Sequence, residues 1–271
     1  MSFLESFFLG ALQGIAEFLP ISSSGHLAVA KALLHLREVP LLYDVILHFA
    51  TLCAIILVYH KTIGRLIVVA CRFIVRKNTP DDKDDLYFIR AVCVASAFTA
   101  VIGFLLKDIV EQLPVNIISL LFIVTGVVLI LGDKVDFRKA QNQAQSGISL
   151  KSACIVGIVQ GAAVFPGISR SGSTITAGLV SQIDRKRVAE FSFILSIPAI
   201  VGALILELHG GNAVVGVGTG QLIVGFVTAF VVGVFSLKLL TKLLEKAKLK
   251  IFSYYLIPLG IILFCFFTFL N

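Results

Sequence analysis

Six long apolar segments constrain the fold of this sequence more than any other feature. Each approaches or exceeds the roughly 20 residues that a helix needs to cross a bilayer. Charged residues make up 14% of the chain, against about 25% in a typical soluble domain. We therefore predict an all-α integral membrane protein, a single membrane domain over 1–271. Its six predicted transmembrane helices lie at about 42–60, 86–107, 114–132, 186–207, 217–241 and 251–270.

Two further apolar segments are interrupted by polar turns and do not look like simple spans. Residues 3–36 contain Gln13 and Glu17, then a proline, three serines, a glycine and a histidine. Residues 149–182 contain Gln160, then a run of proline, glycine, serine and arginine. Irregular backbone is tolerated at membrane depth only where protein or a water-filled cavity satisfies its hydrogen bonds. We predict that both segments are re-entrant helix–loop–helix hairpins.

The two interrupted segments also resemble each other. Aligned without a gap, GALQGIAEFLPISSSGH at 10–26 and GIVQGAAVFPGISRSGS at 157–173 agree at nine of seventeen positions. Similarity at a fixed offset indicates internal repeats. We predict two structural repeats, at about 1–135 and 148–271.

Basic residues predict the orientation of the chain. Of the 23 lysines and arginines, 18 lie in the loops at 61–85, 133–151, 182–187 and 238–250. With six spans and two returning hairpins, all four loops share one face, which the positive-inside rule assigns to the cytoplasm. Segment 62–75 in the first loop is predicted to be an interfacial amphipathic helix. The repeats are then inverted, and the hairpin tips meet near the membrane midplane.

The first tip contains a carboxylate within the membrane. Glu17 lies four residues after Gln13, so both side chains share one helix face. A carboxylate costs about 2.5–3.5 kcal/mol there on insertion scales, so Glu17 should face a cavity or a partner. A serine cap is predicted to begin a second half-helix, with His26 in its first turn. The free amides of such a helix start favour an anion, and the hydroxyls beside them belong to Ser22, Ser23 and Ser24.

The second tip supplies a cation. Arg170 is the only basic residue deep in either hairpin, and a planar guanidinium suits the oxygens of a phosphate group. Glu17 and His26 add acid–base or nucleophilic capacity, and an acidic residue beside a phosphate suggests a divalent cation. The tips together predict a phosphate site, whose further hydroxyls are Ser169, Ser171, Ser173 and Thr174.

Each of these features also has a simpler interpretation. Small residues often only allow close helix packing in membranes, and Glu17 and Arg170 can simply pair with each other. Asp44 and Glu190 are weaker candidates, at the starts of two spans. The five cysteines show no zinc-binding spacing, and the net charge of +7 is interpreted as topology and lipid contact, not as nucleic-acid binding. The remaining histidines are placed outside the site: His35, His48, His60 and His209.

Two signatures in the chain resemble the bacitracin-resistance type of undecaprenyl-pyrophosphate phosphatase. One is a (Glu/Gln)xxxGlu helix followed by a Pro-x-Ser-Ser-x-Gly-His turn, at 13–17 and 20–26. The other is Pro-Gly-x-Ser-Arg-Ser-Gly-x-Thr, at 166–174. The resemblance extends along nearly the whole chain. It implies hydrolysis of undecaprenyl pyrophosphate to undecaprenyl phosphate and inorganic phosphate, which recycles the lipid carrier for bacterial cell-wall synthesis and confers bacitracin resistance.

The resemblance also implies roles for individual residues. The nucleophile is Ser23 or His26; we favour Ser23, with Glu17 and His26 assisting proton transfer and Arg170 holding the phosphate. Mg²⁺ or Ca²⁺ is the expected activator, bound by Glu17 and Gln13. Many family members have glutamate where this chain has Gln13, so a bound cation would lose one charged ligand. The predicted phosphate-binding hydroxyls are Ser22, Ser24, Ser169, Ser171, Ser173 and Thr174.

The expected location is the bacterial cytoplasmic (inner) membrane, with multiple spans and a site open to the outer, periplasmic face. The expected partners are a polyprenyl pyrophosphate substrate and membrane lipid, and a homodimer is a possible assembly. An alternative function is a transporter or flippase for polyprenyl phosphate, since many transporters use inverted repeats with broken helices. A purely structural membrane subunit would leave the cost of burying Glu17 and Arg170 unexplained.

Overall fold

The computed structural model describes residues 1–36, 39, 41–134, 148–209, 217–245 and 249–270. Over these residues the secondary structure is helical, as predicted. The helices of the first half are α1 Phe3–Ala16, α2 Ser23–Leu33, α3 Leu41–Val58, α4 His60–Ile74, α5 Lys83–Glu111 and α6 Val115–Asp133. Those of the second half are α7 Leu150–Ala162, α8 Arg170–Val180, α9 Arg185–His209, α10 Thr219–Glu245 and α11 Lys250–Cys265. Short turns of 3-10 helix and π-helix occupy Pro80–Asp82 and Phe266–Leu270.

Five of the described helices, α5, α6, α9, α10 and α11, are long and apolar enough to cross a membrane. They correspond to five of the six predicted spans. The sixth, predicted at 42–60, is α3, which meets α4 at an 80° bend around Tyr59. These two helices reach the length of a span only as a bent pair. Helix α4 confirms a separate helix near 62–75, while its position at the membrane interface stays a prediction.

Both interrupted segments form helix–turn–helix hairpins. Helices α1 and α2 are joined by the turn at 17–22, and α7 and α8 by the turn at 163–169. The N-cap of α2 is Ser22, whose Oγ accepts the amide of Gly25 at 3.4 Å. The N-cap of α8 is Ser169, whose Oγ accepts the amide of Gly172 at 3.1 Å. The predicted half-helices are therefore confirmed, and serine capping explains where they begin.

Glycines set how closely the hairpins approach the long helices. Helix α1 packs along α10, and α7 packs along α5. A Cβ added at Gly10 would lie 2.5 Å from the carbonyl oxygen of Gly225, and one added at Gly157 would lie 2.5 Å from that of Ala95. Small residues at helix crossings allow this backbone contact in membranes. The simpler interpretation of these glycines, close packing, is confirmed.

Several of the basic residues used to predict the orientation lie outside the described residues, and so does the side chain of His209. The basic residues concerned are Arg37, Arg138, Lys139, Lys246 and Lys248.

The glycine contacts predict a position-dependent loss of stability. We expect Gly157→Ala to lower the free energy of unfolding by about 1–3 kcal/mol, because the new methyl group meets backbone that cannot move aside. Gly202→Ala is the matched control, since it lies in a helix with nothing within 4 Å of the added Cβ. Thermal unfolding of the purified proteins in detergent measures the difference. Equal unfolding temperatures for the two variants would contradict the packing described for α7.

Candidate active site

The turns of the two hairpins contact each other. A Cβ at Gly25 would lie 2.7 Å from the amide nitrogen of Gly167, and a Cβ at Gly172 would lie 3.0 Å from the side chain of Pro20. The amide of Gly167 also donates to Ser22 Oγ at 3.0 Å. Gly167 has a φ of +96°, a conformation that favours glycine. The predicted meeting of the two tips is therefore confirmed, and it places the starts of α2 and α8 together.

Glu17 is the centre of the polar cluster between the tips. It is 5% exposed, and Arg170 of the second hairpin pairs with its Oε1. Ser23 Oγ donates to Oε2 at 2.6 Å, and Gln13 Nε2 donates to the same oxygen at 3.1 Å. His48 Nε2, on α3, lies 3.5 Å from Oε2. The hydroxyl, amide and guanidinium donors offset the cost of burying a carboxylate, and the contact with Arg170 connects the two hairpins.

The pair formed by Ser23 and Glu17 has the geometry of a nucleophile and its base. A serine hydroxyl becomes a competent nucleophile when a neighbouring group within about 2.6–3.2 Å can accept its proton. Arg170 keeps its side chain 18% exposed, so it remains accessible to a ligand. The sequence predicted that Ser23, Glu17 and Arg170 act together, and the structure brings them together. It also contains the simple ion pair that was the alternative interpretation of Glu17 and Arg170.

His26 occupies a separate position. Its Nδ1 lies 2.8 Å from the carbonyl oxygen of Ser22, and its Nε2 lies 2.8 Å from the hydroxyl of Tyr255. Within the described part of the chain, His26 forms no hydrogen bond with Ser23 or Glu17. The imidazole ring also contacts the aromatic rings of Phe122 and Tyr255. His26, predicted to assist Ser23, is thus three residues away in sequence, but its hydrogen bonds are to the Ser22 carbonyl and the Tyr255 hydroxyl.

Several predicted phosphate-binding hydroxyls are engaged in local structure. Ser22 and Ser169 accept amide protons as helix caps. Thr174 Oγ1 donates to the carbonyl oxygen of Arg170 at 2.8 Å and lies 2.5 Å from Ser192 Oγ. These contacts fix the two turns, and any phosphate contact of these groups stays a prediction. The other predicted hydroxyls lie on the first turns of α2 and α8, half-buried for Ser24 and buried for Ser171 and Ser173.

Sequence reasoning was wrong about His48. The sequence placed it outside the site, but the structure places it beside Glu17. Its Nδ1 lies 2.7 Å from the carbonyl oxygen of Asp44, one helical turn earlier, and this contact leaves Nε2 on the side of the carboxylate. No local motif identifies His48, because its partner belongs to another helix. Asp44 itself pairs with Lys31 at 2.7 Å.

Other polar candidates lie away from the cluster. Glu190 accepts the hydroxyl of Thr62 at 2.6 Å. His35 and His60 are exposed and contact carbonyl oxygens of their own segments. These contacts of His35 and His60 agree with the prediction that both lie outside the site, whereas the predicted candidate Glu190 bonds to α4.

Gln13 and Glu17 fit a hard divalent cation. The side-chain oxygen of Gln13 is buried and has no hydrogen-bond partner, and the carboxylate of Glu17 lies beside the same amide group. Mg²⁺ is commonly bound by one or two protein oxygens together with substrate phosphates and water. Among the described residues, no group of three or more histidine, cysteine, aspartate or glutamate side chains is arranged for a metal. A divalent cation held by Gln13 and Glu17 would need phosphate or water oxygens to complete its coordination.

Comparison with known proteins places this chain in a family. The profile of the family described as bacitracin resistance protein BacA matches residues 6–262. A protein named undecaprenyl-diphosphatase from Treponema denticola is 50% identical over 262 residues, 96% of each chain. One of the same name from Methanosphaera stadtmanae is 39% identical over 97% of each chain. Undecaprenyl-diphosphatase 4 of Bacillus thuringiensis is 40% identical over 97% of this chain and 96% of its own. As its two signatures predicted, the chain belongs to the bacitracin resistance protein BacA family.

Proposed function

We propose that this protein is an undecaprenyl-diphosphatase of the cell membrane. It hydrolyses undecaprenyl pyrophosphate to undecaprenyl phosphate and inorganic phosphate, and so recycles the lipid carrier for cell-wall synthesis and confers bacitracin resistance. Membership of the family and the names of its relatives support this substrate. The observation that carries the chemistry is the 2.6 Å hydrogen bond from Ser23 to Glu17, beside an arginine from the opposite hairpin.

Ser23 acts as the nucleophile in the proposed reaction. Its Oγ bonds to the terminal phosphorus as Glu17 accepts the hydroxyl proton, and the bond from phosphorus to the bridging oxygen breaks. Undecaprenyl phosphate leaves, and the serine carries a phosphate ester. A water oxygen then bonds to phosphorus, the Ser23 oxygen leaves with the proton from Glu17, and both water protons stay on the inorganic phosphate, which departs in its dihydrogen form.

Arg170 holds the pyrophosphate in place. A guanidinium carries five N–H donors, so Arg170 can keep its contact with Glu17 and still bind phosphate oxygens. Helices α2 and α8 begin close to each other, and the amides at their N-termini add partial positive charge. Donors fixed before the reaction stabilise the charge that develops on the transferring phosphoryl group.

A divalent cation, Mg²⁺ or Ca²⁺, would neutralise charge on the pyrophosphate when bound. The ligands that we propose for it are Glu17 and the unpartnered side-chain oxygen of Gln13.

His26 is the alternative nucleophile, and two contacts favour Ser23 over it. Both ring nitrogens of His26 have hydrogen-bond partners, the Ser22 carbonyl oxygen and the Tyr255 hydroxyl. Ser23 instead donates directly to a carboxylate that can take its proton. We assign His26 a supporting role in proton transfer.

We further propose that the two halves, 1–135 and 148–271, are inverted structural repeats whose hairpins are re-entrant. The matched packing of α1 on α10 and of α7 on α5 supports this arrangement. So do the equivalent side chains Gln13 and Gln160, which donate to Thr51 at 3.5 Å and Thr99 at 3.1 Å. A lipid transporter would use the same architecture, but transport alone requires no serine bonded to a carboxylate.

The proposed reaction predicts a phosphoserine intermediate. Wild-type protein mixed with undecaprenyl pyrophosphate and quenched in neutral SDS within one turnover, which preserves both phosphoserine and phosphohistidine, should carry one phosphate on Ser23. Ser23→Ala should abolish both this modification and phosphate release. His26→Ala should slow release but keep the modification on Ser23. Mass spectrometry of the digested protein measures all three.

Arg170→Ala should reduce phosphate release by about 100-fold or more, because the phosphate loses its fixed cation. The matched control is Arg76→Ala, at an exposed arginine in the turn that follows α4. Phosphate found on His26 instead of Ser23, or an Arg170→Ala variant as active as the Arg76→Ala variant, would contradict the mechanism.

The proposed cation site predicts a gain of cation affinity in Gln13→Glu. A second carboxylate adds a charged ligand, so half-maximal phosphate release should require less Mg²⁺ or Ca²⁺ than in wild type. Removal of cations with a chelator should suppress release in both proteins. Release that is indifferent to the chelator would exclude the cation from the mechanism.

We propose that the protein lies in the cytoplasmic (inner) membrane with the site open to the outer face, as the basic loops predict. In a variant that keeps only Cys71, which is exposed on α4, a membrane-impermeant maleimide should react only after the cells are permeabilised. A cysteine introduced by Lys107→Cys, an exposed position predicted on the opposite face, should react in intact cells. The reverse pattern of labelling would invert the proposed orientation.

A further inference from the structure

His26 is held on both sides by hydrogen bonds whose directions can be assigned. A carbonyl oxygen only accepts, so His26 Nδ1 carries the proton in its 2.8 Å contact with the Ser22 carbonyl. In the neutral ring the other nitrogen is then an acceptor. The 2.8 Å contact with Tyr255 is therefore a hydrogen bond donated by the phenol to Nε2. Nε2 is the one atom of the neutral ring able to accept a proton.

The position of Tyr255 is fixed by tight packing of α11 along α6. A Cβ at Gly126 would lie 2.6 Å from the side chain of Ile257, and one at Gly260 would lie 2.7 Å from the carbonyl oxygen of Ser119. Ser253 Oγ donates to the carbonyl oxygen of Gly126 at 2.7 Å. These contacts lie on both sides of Tyr255 along α11. They fix the rotation of α11 about its axis, and this rotation places the Tyr255 hydroxyl beside His26.

Two aromatic rings fix the plane of the imidazole. The Tyr255 ring is stacked on His26, with centroids 5.7 Å apart and planes 15° apart. The Phe122 ring meets His26 edge-on at 4.8 Å and 63°. His26 is 8% exposed. The orientation of the ring is thus determined by three helices, α2, α6 and α11.

We propose that Tyr255 is a positioning residue for the phosphatase reaction. Its hydroxyl holds His26 in the tautomer protonated at Nδ1, with Nε2 as the acceptor that supports proton transfer, while Glu17 serves as the base for the serine. His26 can accept a proton only at Nε2, and this nitrogen is the atom that the Tyr255 hydroxyl contacts. Tyr255 therefore controls the position of the accepting atom. The inference rests on the proposed function and adds a residue distant in sequence from both signatures.

Tyr255→Phe tests this role because it removes the hydroxyl and keeps the stacked ring. We expect kcat to fall about 10- to 100-fold with KM changed less than about twofold, since misorientation of a catalytic group affects the chemical step. Tyr254→Phe is the matched control: it makes the same change on the preceding residue of α11, which is 71% exposed. It should behave as wild type in both constants.

A second measurement is independent of activity. Diethyl pyrocarbonate acylates an imidazole nitrogen with a free lone pair, and mass spectrometry of peptides locates the product. Modification of His26 should be several-fold faster in Tyr255→Phe than in wild type or in Tyr254→Phe. The exposed residues His35 and His60 serve as internal references, and their rates should be equal in the three proteins.

The outcomes separate the inference from the proposed function. An unchanged kcat in Tyr255→Phe, with an active wild type, overturns the positioning role. An unchanged rate of His26 modification overturns the hydrogen bond itself. A wild-type protein that releases no phosphate overturns the proposed function and, with it, the positioning role, while faster modification of His26 would still establish the contact.

Discussion

The buried carboxylate of Glu17 is the constraint on which the site depends. An ionised group within an apolar helix bundle is stable only if donors and a counter-charge surround it. The chain meets this requirement with Ser23 and Gln13 of the same hairpin and with Arg170 of the opposite hairpin. The same contacts that stabilise Glu17 therefore assemble the proposed nucleophile, base and phosphate-binding cation at one point. Stability and chemistry are not separable at this residue.

Close approach of the two hairpins makes this assembly geometrically feasible. Gly25 and Gly167 allow the turns to meet at backbone distance, and Ser22 joins them by accepting the amide of Gly167. Because both turns are followed by helix starts, their meeting also brings two sets of N-terminal amides together. A site built this way needs no large insertion or soluble domain. Its parts are the ends of short helices that cannot cross the membrane alone.

Much of this architecture follows from sequence because its causes are local. Apolar length predicts α5, α6, α9, α10 and α11, and the Pro/Ser/Gly turns predict where the hairpins break. The cluster of Ser23, Glu17 and Arg170 was predictable because a buried charge requires a partner. His48 and Tyr255 were not, because each reaches its partner only through the rotation of a helix distant in sequence. Neither the 80° bend after α3 nor the bond from Tyr255 to His26 is encoded in a short motif.

The central claim is that the Glu17–Arg170 pair holds the two hairpins together around the site. A double-mutant cycle in thermal unfolding tests it most directly, with Glu17→Gln, Arg170→Gln and the variant that combines both. Each single change leaves one buried charge without its partner, which costs about 3–5 kcal/mol in comparable pairs. The account predicts that the combined variant unfolds at a higher temperature than either single variant, although all three release phosphate far more slowly than the wild type. Additive losses of stability would show that the two residues act independently and would contradict the account.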